Sequence, residues 1–330
     1  MCKLSDFDYI LPKELIAQHP LNERDSARLL VVERKSGNIK HCIFKDLTGF
    51  FKPNDLLVLN NTKVMPCRLK GKRRSGGKVE VFLLKQKEGK TFEALLKPTR
   101  LKLGEKINFN ASPVYAEILS RNEVAFNTQD LNKIYGLGAM PLPPYIKREA
   151  QDLDNIYYQT IYAKENGAVA SPTAGLHFTE ELLKKINKND TAISYVTLHV
   201  GLGTFKPVKS EDITQHKMEK EYFKVPDETI NAVTKARKFL GRVIAVGTTS
   251  LRALESFALG KKEGETDLFI YPGFDFKVTD CLLTNFHLPR TTLFMLVCAF
   301  AGCDLMKKAY REAIDNKYRF YSYGDAMLII

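Results

Sequence analysis

The sequence predicts a discontinuous α/β domain, either barrel-like or an open sheet with surrounding helices, into which a small all-β barrel is inserted. Three observations predict this arrangement. The length of 330 residues exceeds that of one typical hydrophobic core. Helix and strand signals alternate at both ends of the chain, over residues 1–66 and 149–330. Between them, residues 67–148 carry short apolar runs separated by brief turns, without helical periodicity.

The first segment contributes two strands that are expected to be buried. Residues 29–32 and 56–59 are uninterrupted apolar runs rich in leucine and valine. The second run leads directly into Asn60, Asn61, Thr62 and Lys63. Because open α/β sheets place ligand contacts at the ends of buried strands, these polar residues are expected to lie near a site.

The inserted segment is predicted to form strands at residues 79–84, 91–96, 114–119 and 123–126. Its turn at residues 70–78 is rich in glycine and strongly basic. The cations of this turn are Lys70, Lys72, Arg73, Arg74 and Lys78. A stiff, proline-rich linker at residues 140–145 is expected to end the module.

From residue 149 onward, helix and strand signals alternate again. Helices are predicted at residues 152–162, 179–187, 228–240, 250–258, 291–301 and 305–316. Strands are predicted at residues 193–200, 222–225, 243–246, 268–271 and 281–284. These elements are expected to complete the domain that the first segment begins.

Charge indicates the kind of partner that the protein is expected to have, and cysteine usage indicates its cellular compartment. The net charge of +12 favours a polyanionic partner, with a generally basic proteome as the alternative explanation. The six cysteines form no CxxC pair, and the N-terminal residues lack an apolar signal core. The longest apolar run, residues 293–301, is too short to span a bilayer. We therefore expect a reduced, cytoplasmic protein with no membrane association.

The loop at residues 170–179 is the strongest candidate for a site. Its small residues, with one proline and one glycine, predict a tight and ordered loop that ends at a helix start. It holds Ser171, Thr173 and Gly175, and it places His177 two residues ahead of the helix. A titratable ring on a rigid loop suits ligand chemistry, although a histidine merely packed beneath a loop is the alternative.

Two further loops follow predicted strands. Gly201 and Gly203 would let the backbone approach a ligand closely next to His199, but they lack the third glycine of a dinucleotide-binding motif. The segment at residues 247–252 passes from a strand into a helix start that carries Thr248, Thr249 and Ser250. Hydroxyl groups and free backbone N–H groups at such a helix end favour an anion or a carboxylate.

The last two segments lie near the C-terminal end. Asn285, His287 and Arg290 offer an amide, an imidazole and a cation between a strand and a helix. The aromatic residues at 318–325 alternate with polar ones, which indicates either an edge strand or a platform for stacking bases. Strand ends of this kind meet at one side of a sheet, so we expect a single site. No local spacing of the histidines matches a metal-ligand pattern, and no metal is expected.

Taken together, these stretches resemble the family of S-adenosylmethionine:tRNA ribosyltransferase-isomerases of queuosine synthesis. The resemblance rests on residues 18–20, 24–28, 59–64, 141–146, 158–160, 170–179, 198–205, 247–250, 267–273, 284–292 and 323–325. Three positions depart from it. Asn61 and Lys63 stand where Asp and Arg are expected, and Tyr157 stands where Arg is expected. The chain therefore has no carboxylate at position 61.

The resemblance implies a barrel domain inserted into an α/β domain and an unusual use of S-adenosylmethionine as a substrate. Its ribosyl part is transferred and isomerised onto 7-aminomethyl-7-deazaguanine at the wobble position of tRNA. The products are epoxyqueuosine-tRNA, adenine and methionine. A monomer acting without a metal on tRNA in the cytoplasm is expected. The alternative from another class is a noncatalytic RNA-binding protein.

The resemblance and the chemistry together assign candidate roles. A base of near-neutral pKa must remove the C5′ proton that the sulfonium acidifies, and a donor must meet the departing adenine. His177 and His287 are the candidates, in either order, with His199 third. The candidates for binding S-adenosylmethionine are Ser171, Thr173, Gly175, Gly201, Gly203, Phe205, Thr248, Thr249, Ser250, Asp267, Tyr271, Asn285 and Asp325. The candidates for contacting tRNA are Lys70, Lys72, Arg73, Arg74, Lys78, Arg252 and Arg290.

Overall fold

The computed structural model describes residues 3–110, 112–201, 203, 208 and 210–330. Strands and helices are numbered here in chain order. The strands are β1 (Arg28–Val32), β2 (Ile39–Ile43), β3 (Leu56–Asn60), β4 (Thr62–Val64), β5 (Arg68–Arg73), β6 (Lys78–Gln86), β7 (Thr91–Lys97), β8 (Lys106–Phe109), β9 (Tyr115–Ser120), β10 (Glu123–Phe126), β11 (Gly138–Ala139), β12 (Glu165–Ala168), β13 (Ala192–Leu198), β14 (Glu221–Lys224), β15 (Val243–Val246), β16 (Glu263–Thr266), β17 (Cys281–Asn285) and β18 (Ala326–Ile329). The helices are α1 (Leu131–Tyr135), α2 (Asp152–Tyr157), α3 (Glu180–Lys188), α4 (Asp227–Lys238), α5 (Gly247–Ala258), α6 (Thr292–Ala301) and α7 (Cys303–Asp315).

The two ends of the chain build one nine-stranded sheet in the order β16-β14-β13-β3-β15-β17-β18-β1-β2. Strands β13, β3, β15 and β17 are parallel to one another, as expected of strands joined by helical crossovers. Along β3, Leu56 and Val58 enter one hydrophobic core, whereas Leu57 and Leu59 enter another. Both faces of the sheet are therefore covered, which explains the continuous apolar runs of these strands.

The inserted segment forms a closed antiparallel barrel of six strands, in the order β5-β6-β7-β10-β9-β8. Pairing of β5 with β8 closes the barrel, with Gly71 opposite Phe109. A Cβ atom at Gly71 would lie 2.6 Å from the side chain of Ile107 and 2.9 Å from the carbonyl oxygen of Asn108. Closure at this point therefore requires glycine.

The predicted fold class is confirmed, and the open sheet is the correct one of its two forms. The barrel strands and β11 all lie within residues 67–148. The division of the chain at 66/67 and 148/149 stays a prediction. None of the helices in the described ranges is both long and apolar enough to cross a membrane.

Several predicted elements differ from those observed. Residues 268–271 form no strand, and the edge strand β16 lies just before them. Helix α2 ends at Tyr157 rather than at residue 162. Strands β8 and β18 were not predicted. Residues 318–325 form neither an edge strand nor an exposed platform, because Tyr318, Phe320 and Tyr323 are buried.

Candidate functional site

A cleft lies at the carboxyl ends of β15 and β17, against the loop that follows β12. We call it the ligand cleft. Six predicted site residues line it: Ser171, Thr173, Thr248, Thr249, Asn285 and His287. It also contains Tyr145, Tyr321 and Ser322. Three of the predicted loops therefore converge, as the shared position of strand ends in an α/β sheet requires.

The wall formed by α5 has unused hydrogen-bonding capacity. Helix α5 begins at Gly247, whose φ of +83° suits glycine, and its N-cap residue Val246 provides no side-chain acceptor for the first N–H groups. The hydroxyls of Ser171 and Thr249 are both buried, at 6% and 8% exposure, and neither has a hydrogen-bond partner among the described residues. Buried polar groups are normally paired, so this wall fits a ligand with acceptor atoms, above all an anion.

His287 is held rigidly at the edge of the ligand cleft. Its Nε2 lies 2.9 Å from Oγ1 of Thr284. Its backbone N–H donates to the Tyr310 hydroxyl at 3.0 Å, and its carbonyl oxygen accepts from the Tyr9 hydroxyl. Burial lowers the pKa of His287 from 6.5 to about 3. The imidazole is therefore neutral at pH 7, and burial makes it a weaker base than a free imidazole.

His177 lies beneath the cleft rather than in it. Its Nε2 lies 3.3 Å from Nδ2 of Asn285, and its Nδ1 lies 3.3 Å from the carbonyl oxygen of Arg24. An amide nitrogen only donates, so Nε2 accepts and Nδ1 carries the proton. Burial is the main cause that lowers the pKa of His177 to about 4. With both ring nitrogens engaged, His177 is suited to positioning Asn285.

His199 lies in a different depression, which we call the His199 groove. This groove runs between the barrel and the β13–β14 edge of the sheet. Its lining includes Asn61, Lys85, Glu165, His199, Tyr222 and Glu265. Val200, the next residue after His199, lines the ligand cleft and also a pocket that adjoins the groove and shares Lys85, His199, Tyr222 and Glu265 with it. The two depressions are therefore neighbours.

The other predicted ligand-binding residues serve the local structure or lie elsewhere. Ser250 donates its hydroxyl to the carbonyl of Val246 at 2.7 Å, and Gly175 packs where a Cβ would lie 2.1 Å from the Tyr162 hydroxyl oxygen. Asp325 is buried and accepts from the backbone N–H groups of Arg28 and Arg319 at 2.9 and 2.7 Å.

Four remaining members of that set are described by the structure, and none of them lines the ligand cleft. Gly201 donates its N–H to Glu221 at 2.8 Å, and Gly203 packs against Glu219. Asp267 is exposed, and Tyr271 contacts the ring of Phe269. Phe205 lies outside the described residues.

The candidates for contacting tRNA divide by exposure. Lys70, Lys72 and Lys78 line a groove on the barrel together with Lys97, and Arg74 is exposed. Three of the candidates are engaged in surface ion pairs: Lys70 with Glu149, Arg73 with Glu105, at 2.6 and 2.8 Å, and Arg290 with Asp8.

The structure contradicts the prediction that Arg252 contacts tRNA. It is only 3% exposed and forms an ion pair with Glu221 inside the protein. A buried and neutralised guanidinium has no surface to offer to a phosphate backbone. The prediction of a tRNA contact at Arg252 is therefore wrong. The sequence could not reveal this, because a burial partner 31 residues away leaves no local signal.

The three departures from the family pattern have ordinary local roles. Asn61 accepts a hydrogen bond from the hydroxyl of Thr197 at 2.8 Å. Lys63 is exposed on β4. The Tyr157 hydroxyl donates to the carbonyl of Asn22 at 2.8 Å, and the Arg24 guanidinium lies over its ring. Within the residues that the structure describes, no group of three histidines, cysteines or acids could hold a metal ion.

The fold and the cleft define an α/β protein with an inserted barrel, a polar ligand cleft at its strand ends and a rigid, neutral histidine beside it. The family model described as "Queuosine biosynthesis protein" matches residues 4–329. The chain belongs to this family.

Named relatives cover the whole chain. It is 53% identical to an S-adenosylmethionine:tRNA ribosyltransferase-isomerase from Sulfurihydrogenibium sp., over 99% of this chain and 100% of the relative. It is 50% identical to a protein of the same name from Thermoanaerobacter sp., with the same coverage. A crystal structure of S-adenosylmethionine tRNA ribosyltransferase from Thermotoga maritima is 38% identical and superposes with a TM-score of 0.58, covering 98% of this chain and 100% of that one.

Proposed function

We propose that this chain is an S-adenosylmethionine:tRNA ribosyltransferase-isomerase. It transfers and isomerises the ribosyl part of S-adenosylmethionine onto the aminomethyl group of 7-aminomethyl-7-deazaguanine at the tRNA wobble position. Epoxyqueuosine-tRNA, adenine and methionine are the products. The full-length relatives that carry this name at about half identity support the proposal. The activity places the enzyme with tRNA in the cytoplasm, and a monomer is expected.

The observation that carries the proposal is the α5 wall of the ligand cleft. The uncapped N-terminus of α5 adjoins the unpartnered hydroxyls of Ser171 and Thr249. A carboxylate there would accept from backbone N–H groups and from both hydroxyls, with favourable helix-dipole energy. We assign this wall to the methionine carboxylate of S-adenosylmethionine.

The rest of the ligand cleft suits the sulfonium and the ribose. The rings of Tyr145 and Tyr321 meet at a centroid distance of 3.9 Å on the cleft wall, and aromatic faces attract cations. Thr173 donates its hydroxyl proton to Oδ1 of Asn285 at 2.8 Å. Its oxygen therefore keeps lone pairs that can accept from a ribose hydroxyl.

His287 is assigned as the base. The sulfonium acidifies the neighbouring C5′–H, and a neutral imidazole can remove that proton. Hydrogen bonding of Nε2 to Thr284 leaves Nδ1 as the nitrogen that takes it. His177 acts indirectly, because it fixes the amide of Asn285 that orients Thr173. The lysines of the barrel groove are assigned to the tRNA backbone.

One assay tests this function against its rivals. The protein is incubated with S-adenosylmethionine and an anticodon stem-loop that carries 7-aminomethyl-7-deazaguanine. Free adenine and methionine, formed only with the modified RNA, are the expected result. A methyltransferase would release S-adenosylhomocysteine instead. A noncatalytic RNA-binding protein would retain the RNA and release neither product, which would refute the proposal.

A further inference from the structure

His199 is held in place with one edge of its ring left open. Its Nδ1 lies 2.7 Å from Oγ1 of Thr62, and its ring stacks on that of Tyr222 with centroids 5.3 Å apart and planes 24° apart. On the other side lies Gly167, where a Cβ would be 2.8, 2.8 and 3.0 Å from Cδ2, Nε2 and Cε1. Nearly equal distances to three adjacent ring atoms place that position above the ring face. The ring is thus clamped between Tyr222 and Gly167.

The clamp determines which nitrogen can react. Nδ1 is hydrogen-bonded to Oγ1 of Thr62, whereas no described residue forms a hydrogen bond with Nε2. Assigning the proton to Nδ1, which donates to Thr62, leaves the lone pair of Nε2 as an acceptor. The backbone supports this orientation, because the N–H of His199 donates to the carbonyl of Tyr222 at 2.9 Å.

The carboxylate of Glu165 lies in the same groove as the His199 ring. Glu165 lies directly opposite Thr62 in the β4–β12 pair and lines the same groove as His199. Its carboxylate is exposed and forms no hydrogen bond or ion pair with any described residue. Lys85 and Glu265, which also line the groove, already pair with each other at 3.2 Å. A cation in the groove would therefore find an uncommitted carboxylate beside an uncommitted imidazole nitrogen.

The groove lies beside the ligand cleft. The N–H of Val169 donates to the carbonyl of Val200 at 3.0 Å, which joins the segment after Gly167 to the residue after His199. Two residues beyond Val169, Ser171 lines the ligand cleft. His199 and Val200 line one pocket together, and Val200 also lines the ligand cleft, so a group bound at His199 lies next to the Val200 wall of the cleft.

We propose that the His199 groove is the acceptor site, which binds the aminomethyl-bearing base of tRNA and deprotonates its ammonium. This assignment rests on the proposed function. Glu165 holds the R–CH₂–NH₃⁺ group, and Nε2 of His199 takes one proton from it. The products of this step are R–CH₂–NH₂, whose lone pair is available for attack, and the His199 imidazolium, which returns the proton to solvent. The exposed ring of Tyr195 in the same groove offers a stacking face for the base.

Two exchanges test the assignment, with tRNA stem-loop turnover and S-adenosylmethionine binding measured separately. H199N should lower kcat/KM for the modified stem-loop by about 10²–10⁴-fold, the usual effect of losing a positioned base. The Kd for S-adenosylmethionine, measured by calorimetry, should stay within about twofold, because the ligand cleft is intact. E165Q should lower kcat/KM at least about tenfold. Its matched control is E14Q, which removes an exposed carboxylate that lines neither the groove nor the ligand cleft and should leave turnover unchanged.

The pH dependence of kcat/KM for the stem-loop shows whether His199 acts as a base or only supports the structure. The titratable groups that line the groove with His199 are Lys85 on β6, Lys164, Glu165 on β12, Tyr195 on β13, Tyr222 and Lys224 on β14, Glu228 on α4 and Glu265 on β16. The adjoining pocket adds Glu93, Glu219, Lys220 and Glu221. In H199N, log kcat/KM for the stem-loop should rise with a slope near 1 from pH 7 to 9. The reason is that only the fraction of amine already deprotonated in solution, with a pKa of about 10, then reacts.

Three results would overturn the assignment. They are an H199N variant with the turnover and pH profile of the wild type, an H199N variant that loses S-adenosylmethionine binding, and equal effects of E165Q and E14Q. Glu165 is exposed, so E165Q keeps the test decisive even if H199N folds poorly. Failure of the proposed function itself is distinguishable, because the wild type would then release no adenine.

Discussion

Nδ2 of Asn285 lies 3.3 Å from Nε2 of His177, and this contact links a fully enclosed histidine to the ligand cleft. The same amide donates to the carbonyl of Asp325 and accepts from Thr173. The Asp325 carbonyl only accepts, and Nε2 of His177 accepts because Nδ1 donates to the Arg24 carbonyl, so the amide cannot be reversed without losing hydrogen bonds. His177 thus acts on the cleft by fixing how Asn285 is oriented.

N285D should therefore change the protonation of a residue that it does not replace. A carboxylate next to Nε2 favours the imidazolium, so the pKa of His177 should rise from about 4. NMR titration of the ring protons measures this rise, and Oδ1 at position 285 still accepts the hydrogen bond from Thr173. A His177 pKa that stays near 4 in N285D would contradict the contact.

Removing the unpartnered hydroxyls should weaken binding of the donor substrate. S171A and T249A are each expected to raise the Kd for S-adenosylmethionine about tenfold, the effect of one hydrogen bond to a charged group. Calorimetry in the absence of RNA measures the Kd for S-adenosylmethionine. The control is T234A, which removes an exposed hydroxyl on α4 and should leave the Kd unchanged. Wild-type affinity in both cleft variants would place the carboxylate elsewhere.

Thr284 is expected to act through His287. T284V removes the oxygen that holds Nε2, which frees the ring to turn. We expect kcat to fall at least about tenfold while the Kd for S-adenosylmethionine changes little, and T284S should restore most of the activity. H287Q should lower kcat by about 10²–10⁴-fold. If T284S were as slow as T284V, packing of the methyl group rather than the hydrogen bond would be responsible.

Acid should destabilise the protein through its buried histidines. The folded-state pKa values of His177 and His287, about 4 and about 3, lie below the ordinary value of 6.5. The unfolded chain therefore binds more protons below pH 6.5, so stability is complete above that pH and falls as the pH drops toward 4. The expected loss by pH 4 is about 2 to 3 kcal/mol for each histidine.

Urea unfolding from pH 7 to 4 measures this loss. H287Q should flatten the dependence on pH, whereas H19N, which removes an exposed histidine, should not. Equal slopes in the wild type and H287Q would contradict burial of a neutral ring at position 287.

The barrel groove should contribute to tRNA binding through charge alone. Neutralising Lys72 and Lys78 in K72Q/K78Q should weaken tRNA binding and reduce the slope of log K against log salt by about 1 to 2. The Kd for S-adenosylmethionine should not change. A double variant on α4, K235Q/K238Q, removes two exposed lysines elsewhere and serves as the control. An unchanged slope in K72Q/K78Q would exclude the groove from the RNA interface.

The sequence predicted features that depend on neighbouring residues. Helix α3 begins one residue after its expected start, and Thr179 caps it by accepting from the N–H of Leu182 at 3.2 Å. The buried run that became β15 was predicted at its observed limits. The polar loops after β12, β15 and β17 were expected to meet, and they do.

Features that depend on distant partners were missed. Strand β18 is recognisable only by its pairing with β17 and β1. Arg252 resembles an exposed cation until its burial against Glu221 is known. Thr284 gave no signal of its own, because a threonine within a strand is common and its role depends on the side chain three residues later. The sequence also did not predict that His199 lies in a different depression from His287, because this separation depends on how distant segments pack.

The place of β18 in the large sheet has a consequence for synthesis of the protein. Residues 326–329 fill the gap between β1, near the start of the chain, and β17. A nascent chain shorter than this therefore exposes two unpaired strand edges, which are templates for misassociation with other chains. The sheet that supports Asn285 can therefore close only after residue 329 has been synthesised.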